Sequence, residues 1–189
     1  MGKVLTHMTM SLDGFIADPD DQPGELFDWY QAGEVSVASA NENIQFDVDE
    51  SSADLLGDLT EAGGVIVSGR RLFDLADGWN DSHPAGARIV VVTHSPPADA
   101  AERWPKTTFV DGVEAAIAKA QEIAGDKNVT IASPNIIQPS SAIRAVAPVR
   151  GSSGEGAPVQ AAVAHATNTE IQTANDGRCG SVVTASVTP

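Results

Sequence analysis

Hydrophobic and polar positions over the first 138 residues alternate between short apolar runs, turn-forming clusters and stretches of helical spacing. Residues 4–10 predict a mainly apolar opening strand ending at Ser11-Leu12-Asp13-Gly14, where the Asp-Gly pair marks a turn. Residues 18–24, rich in Pro, Gly and Asp, predict a surface loop. Helical spacing over 51–59 predicts a helix capped by Ser51 or Ser52. Residues 64–69 form an apolar run between glycines, a buried strand meeting a turn, and residues 70–77 restart as a helix. A second buried strand is predicted over 88–93, closed by Ser95-Pro96-Pro97, and a short third over 107–110. Residues 113–123, with Ala115, Ala116, Ala118 and Ala120 and a stop at Gly125, give the strongest helical pattern. A strand over 128–132 and the start of a helix over 135–138 follow. Strands apolar on both faces and alternating with helices imply an α/β fold, a largely parallel sheet with helices on its sides.

After Gln138 the chain changes character. Residues 139–189 contain no Leu, Phe, Tyr, Trp or Met, and Ala, Ser, Thr, Gly and Val dominate. Such a segment cannot bury enough apolar area to offset its ordering entropy. Residues 182–187 have strand propensity but little to pack with. Pro139 also cuts the helix that opens at Asn135. The expected organisation is therefore an α/β domain over 1–138 and a low-complexity tail over 139–189. Two readings of the tail stand: a disordered segment, or an out-of-frame translation that begins near Gln138.

Charge sharpens the picture. The net charge is −15, and the tail is neutral, so residues 1–138 carry all of it. A nucleic-acid partner is excluded on this reading, because a phosphate-tracking surface needs clustered Lys and Arg. Between Lys3 and Arg70 there is no Lys or Arg against fourteen acids, so Arg70-Arg71 is the first place a phosphate can be neutralised. No apolar run approaches the ~18 residues of a membrane span, and the N-terminus lacks the regions of a secretory signal. The single cysteine, Cys179, cannot form an intramolecular disulfide or a Cys-based zinc site. These features predict a cytoplasmic protein without a membrane partner. No His and carboxylate cluster has metal spacing, so no metal is expected.

An α/β sheet binds ligands where loops leave the carboxyl ends of its strands. Three such loops carry suitable chemistry. Gly69 permits close backbone approach, and Arg70-Arg71 adds guanidinium groups at a helix start. Thr93-His94-Ser95 offers two hydroxyls and an imidazole, and Ala132-Ser133-Pro134-Asn135 leads into another helix.

The ordered segments Thr9-Met10-Ser11-Leu12-Asp13-Gly14-Phe15-Ile16-Ala17, Ser68-Gly69-Arg70-Arg71-Leu72-Phe73-Asp74, Val91-Val92-Thr93-His94-Ser95 and Ile131-Ala132-Ser133-Pro134-Asn135-Ile136-Ile137-Gln138 carry a resemblance. Over residues 3–138 the chain resembles the dihydrofolate-reductase-like superfamily, in the branch of the riboflavin-biosynthesis reductase domain. The resemblance implies a mixed, mostly parallel sheet flanked by helices. It also implies NADPH as cofactor and hydride transfer to a small pyrimidine- or pterin-like substrate. Thr9, Ile16 and Ala17 would line the nicotinamide end, while Gly69, Arg70 and Arg71 would meet phosphates. Thr93, His94 and Ser95 would lie by the adenosine ribose and its 2′-phosphate, and Ser133, Asn135 and Ile136 would approach the pyrophosphate. The family commonly has adjacent glycines where this chain has Ala132-Ser133, whose Cβ atoms hinder close backbone approach. The family's last strands often make dimer contacts, which points to a homodimer.

Asp13 is the candidate for proton management, although the simpler reading of Asp13-Gly14 is a plain turn. Asp28 and Trp29, with Tyr30, either form a substrate wall on which a planar ring stacks or belong to core and surface. Two further functional readings remain beside the reductase: a non-catalytic nucleotide- or flavin-binding module of the same fold, and an incomplete product without activity.

Overall fold

A computed structural model describes residues 2–11 and 15–137 together with the strand 180–187. Asp13 and Gln138 lie outside the described residues. The architecture is α/β, with a central, mostly parallel sheet flanked by helices. Its strands are β1 (Val4–Ser11), β4 (Gly63–Gly69), β5 (Arg88–Val92), β6 (Thr108–Val110), β7 (Asn128–Ile131) and β8 (Gly180–Val187). They lie in the order β6-β5-β4-β7-β1-β8. The first five are mutually parallel, and β8 runs antiparallel to β1 along its whole length, from Val4 opposite Val187 to Ser11 opposite Gly180. The strand-prone valines of the tail thus have a neighbour, one that only long-range pairing supplies. A separate two-stranded sheet joins β2 (Val35–Val37) and β3 (Phe46–Val48).

Burial follows the apolar runs. Val65, Val67, Val90, Val129 and Ile131 form one core with Ala116 and Ala120 of α4 (Val113–Ala124). The alternate positions Ile66, Ile89 and Val91 face the opposite core, which holds Phe73 of α2 (Arg70–Leu75) and Trp104, the residue after α3 (Ala100–Arg103). Strands buried on both faces need continuous apolar sequence, which is why β4 and β5 read as uniform runs, whereas β7 alternates, with Val129 and Ile131 buried and Asn128 and Thr130 only partly so. Small alanines on α4 let the helix lie close to the sheet.

Helix α1 (Glu50–Ala62) is capped by Asp49 rather than by Ser51 or Ser52. The Asp49 carboxylate accepts from both serine amides, at 3.0 and 3.1 Å, and both serine hydroxyls donate to it as well. Asp and Ser are both good caps, and here the residue with two acceptor oxygens takes the position. The hydrogen bond from the Ser51 hydroxyl, with those from Ser52 and the two amides, holds the Asp49 carboxyl below its ordinary value despite some desolvation.

The helix predicted over 70–77 stops at Leu75, and the chain enters a left-handed turn over Asp77–Asp81. Five successive residues have φ between 44° and 60°, and four of them are not glycine. Each such residue costs about 1 kcal/mol or more, so the surroundings must hold the turn in place. Asp77 accepts from Arg103 Nη2 at 2.8 Å, and Asn41 Nδ2 donates to the carbonyls of Trp79 and Ser82, each at 2.8 Å. The buried Asp81 carboxylate accepts from the Lys106 amide and the Thr107 hydroxyl, both at 2.8 Å. Among the described residues no helix is long and apolar enough to cross a membrane.

Candidate functional site

The parallel strands all end at one edge of the sheet, and their exit loops carry the residues singled out from sequence. β1 ends by Thr9 and Ser11, β4 at Gly69, β5 at Val92 ahead of Thr93-His94-Ser95, and β7 at Ile131 ahead of Ser133. After β4 the chain moves toward β5 and β6, whereas β1 and β8 lie on the far side of β7. The boundary between β4 and β7 is therefore a topological switch point, where α/β sheets open a crevice.

Two hydrogen bonds tie three of these loops together. The Gly69 amide donates to Ser133 Oγ at 2.8 Å, joining the exits of β4 and β7. Arg70 Nη1 donates to the Ser95 carbonyl at 2.6 Å, joining the exits of β4 and β5. Ser133 is buried, so its hydroxyl clamps adjacent loops, while Asn135 of α5 (Pro134–Ile137) is exposed. Ile136 lies in the core beside β4 and β7. The residue expected to approach a pyrophosphate thus has its side chain packed inward. A Cβ at Gly69 would come within 3.3 Å of Ser133 Oγ, a tight contact that the hydroxyl could relieve only by shifting a few tenths of an ångström.

Arg70, Arg71 and His94 at this edge each already have a carboxylate. Arg70 Nε donates to both Asp74 oxygens at 2.8 Å, one turn along α2. Arg71 Nε contacts Asp21 of the loop after β1. His94 Nδ1 contacts the Asp111 carboxylate at the end of β6. Helix α2 has only six residues, so the positive charge at this edge comes from the guanidinium groups rather than from the helix start. Among the described residues no group of three His, Cys, Asp or Glu side chains could hold a metal ion.

The remaining nominated residues are more scattered. Ser11 and Phe15 are joined by two hydrogen bonds, from the Ser11 amide to the Phe15 carbonyl at 2.7 Å and from the Phe15 amide to Ser11 Oγ at 2.8 Å. Ile16 beyond them is exposed and Ala17 half-buried. Asp28 and Trp29 sit in a 3-10 segment, Gly24–Gln31, that packs on β1, β3 and β8. Asp28 is exposed, and Trp29 stands edge-on to Tyr30 at 4.5 Å, which in turn meets Phe46 at 4.7 Å. This is an aromatic cluster seated against β1, β3 and β8. Burial pushes the Tyr30 hydroxyl up to about 12. The indole Nε1 of Trp29 is buried without a hydrogen-bond partner among the described residues.

Sequence reasoning missed Asp21, Asp74 and Asp111. Asp74 carries an i,i+4 signal to Arg70, but the other two pairings join separate loops and have no local signature. Neither the protein-family models nor the curated proteins give a significant match to this chain.

Proposed function

We propose that the chain is a dihydrofolate-reductase-like protein that binds NADPH across the carboxyl edge of its sheet and delivers reducing power to a small heterocycle. The observation that carries the reading is the joining of the β5, β4 and β7 exits at one edge, where two hydrogen bonds link Ser95 to Arg70 and Gly69 to Ser133. A dinucleotide presents two phosphate groups and a ribose to such an edge. Arg70, Arg71 and His94 are cations or potential cations along it, and Thr93 and Ser95 supply hydroxyls. The bound cofactor would supply the hydride, and the protein's part is to hold and orient it.

A non-catalytic nucleotide-binding module is the second reading, and one observation favours it. The Gly69 amide is committed to Ser133 Oγ, where a backbone donor would otherwise be open to a phosphate.

Quenching of the three tryptophans by NADPH and by NADH tests binding, and NADPH oxidation with pyrimidine or pterin substrates then separates the readings. Arg70→Ala should weaken NADPH binding by about ten- to a hundredfold, from ~1.5–3 kcal/mol for a hydrogen bond to a charged group, and NADH binding by much less. Equal loss for both would remove Arg70 from a site sensitive to the 2′-phosphate.

A further inference from the structure

We infer that Asp21 sets the affinity of this edge for its anionic ligand, by occupying the guanidinium that a ligand phosphate would take. The inference rests on the binding site proposed above.

Asp21 reaches Arg71 across fifty residues of sequence, and the loop that presents it is tightly built. Asp18 Oδ1 accepts from the amides of Asp20 and Gln22 at 2.9 and 2.7 Å. The Asp18 amide donates to the Gln22 carbonyl at 2.8 Å, and the Asp21 amide donates to the Asp18 carbonyl at 3.0 Å. Within this ring Asp21 takes φ 64°, a left-handed conformation that aspartate tolerates better than most residues. Its side chain is 34% exposed, against 77% for Arg71, so the carboxylate is held while the guanidinium stands largely in water.

That asymmetry decides the consequence. Arg71 is the more accessible of the two arginines, because Arg70 is fixed by Asp74 and by the Ser95 carbonyl. A phosphate arriving at Arg71 competes with a carboxylate already seated there, and that same carboxylate repels it. An exposed ion pair is weak, so the competition tunes affinity without blocking the site. It is also screened by salt, which gives the effect a signature.

The test compares Asp21→Asn with Asp20→Asn, which makes the same charge change one residue away. Asparagine accepts left-handed backbone readily, so the loop keeps its shape. Binding of NADPH and of inorganic pyrophosphate is titrated for both variants and the natural chain at low and high salt. Asp21→Asn should tighten pyrophosphate and NADPH binding by about two- to fivefold at low salt, with the gain shrinking at high salt and absent in an Arg71→Ala background. An equal gain in Asp20→Asn, or no gain in Asp21→Asn, overturns the inference. Tighter pyrophosphate binding without NADPH binding supports the role of Asp21 and overturns the cofactor reading instead. Binding of neither ligand to any of the proteins overturns both.

Discussion

Ser68 and Ser133 lie at the ends of neighbouring strands, and trimming each to alanine should change stability in opposite directions. Both are buried, with Ser68 fully so. Ser133 Oγ accepts the Gly69 amide at 2.8 Å, whereas Ser68 Oγ has no hydrogen-bond partner among the described residues. Ser133→Ala removes the acceptor and leaves the amide behind. An orphaned buried donor costs about 1–3 kcal/mol, and because the Gly69 site is only part-buried the expected loss is about 1–2 kcal/mol. Ser68→Ala removes a hydroxyl that was stripped of water with nothing in exchange. Its expected effect runs from neutral to about 1 kcal/mol of added stability, limited by the small void left behind. Urea unfolding reads both directly. With a slope of roughly 2 kcal/mol per molar, Ser133→Ala should lower the midpoint by about 0.5–1 M at unchanged slope, while Ser68→Ala holds or raises it. If Ser133→Ala leaves the midpoint unmoved, the clamp between the β4 and β7 loops is not a stabilising contact. If Ser68→Ala costs more than about 1 kcal/mol, its hydroxyl has a partner after all and the reasoning fails.

Two more predictions concern parts of the fold away from the candidate site. The folded Tyr30 hydroxyl is pushed up to about 12, and its ordinary value near 10 applies when unfolded. Its contribution is therefore complete below pH ~10 and is lost as pH rises through about 12, by about 3 kcal/mol in all. Tyr30 is the chain's single tyrosine, so tyrosinate absorbance follows it alone, and ionisation near pH 10 in the folded protein would contradict its burial. Gly78→Ala should cost about 3 kcal/mol, since Gly78 has φ 58° and an added Cβ would meet Trp104 Nε1 at 2.2 Å and Phe73 Cζ at 2.7 Å. A loss under ~1 kcal/mol in thermal or urea unfolding would mean that the left-handed turn is not packed as described.

What was legible in the chain follows from which forces act locally. The strands β4 and β5 are buried on both faces and so spell themselves out as apolar runs, whereas β7 shows itself by alternation, with Val129 and Ile131 turned to one core. The strands β2 and β3 have three residues each, too few for any period to register, and no element was expected there. The helix over 50–62 carried its spacing openly, but its cap was ambiguous because Asp49, Ser51 and Ser52 can all serve and only their geometry chooses. The left-handed turn was half legible: Asp77-Gly78 announces a break, while φ above zero at Trp79, Asn80 and Asp81 is imposed from outside by Asn41, Lys106 and Thr107.

The candidate site divides along the same line. Its loops could be collected from sequence because parallel strands must all release their exits at one edge, whatever the side chains do there. What those side chains do depends on partners far away in the chain, and Ser133 shows the difference. As a departure from a glycine pattern it reads as an obstruction, a Cβ where backbone should approach. In the fold the same side chain supplies an acceptor for the Gly69 amide, and Gly69 in turn lacks the Cβ that would crowd it. The Ser133 side chain therefore engages the Gly69 amide in a fixed junction between two loops. That junction holds the exits of β4 and β7 together, and on the proposed reading it leaves the arginines as the groups that meet an anion. Affinity at such a site should respond to the carboxylates that engage Arg70 and Arg71 more than to the backbone of the β7 loop.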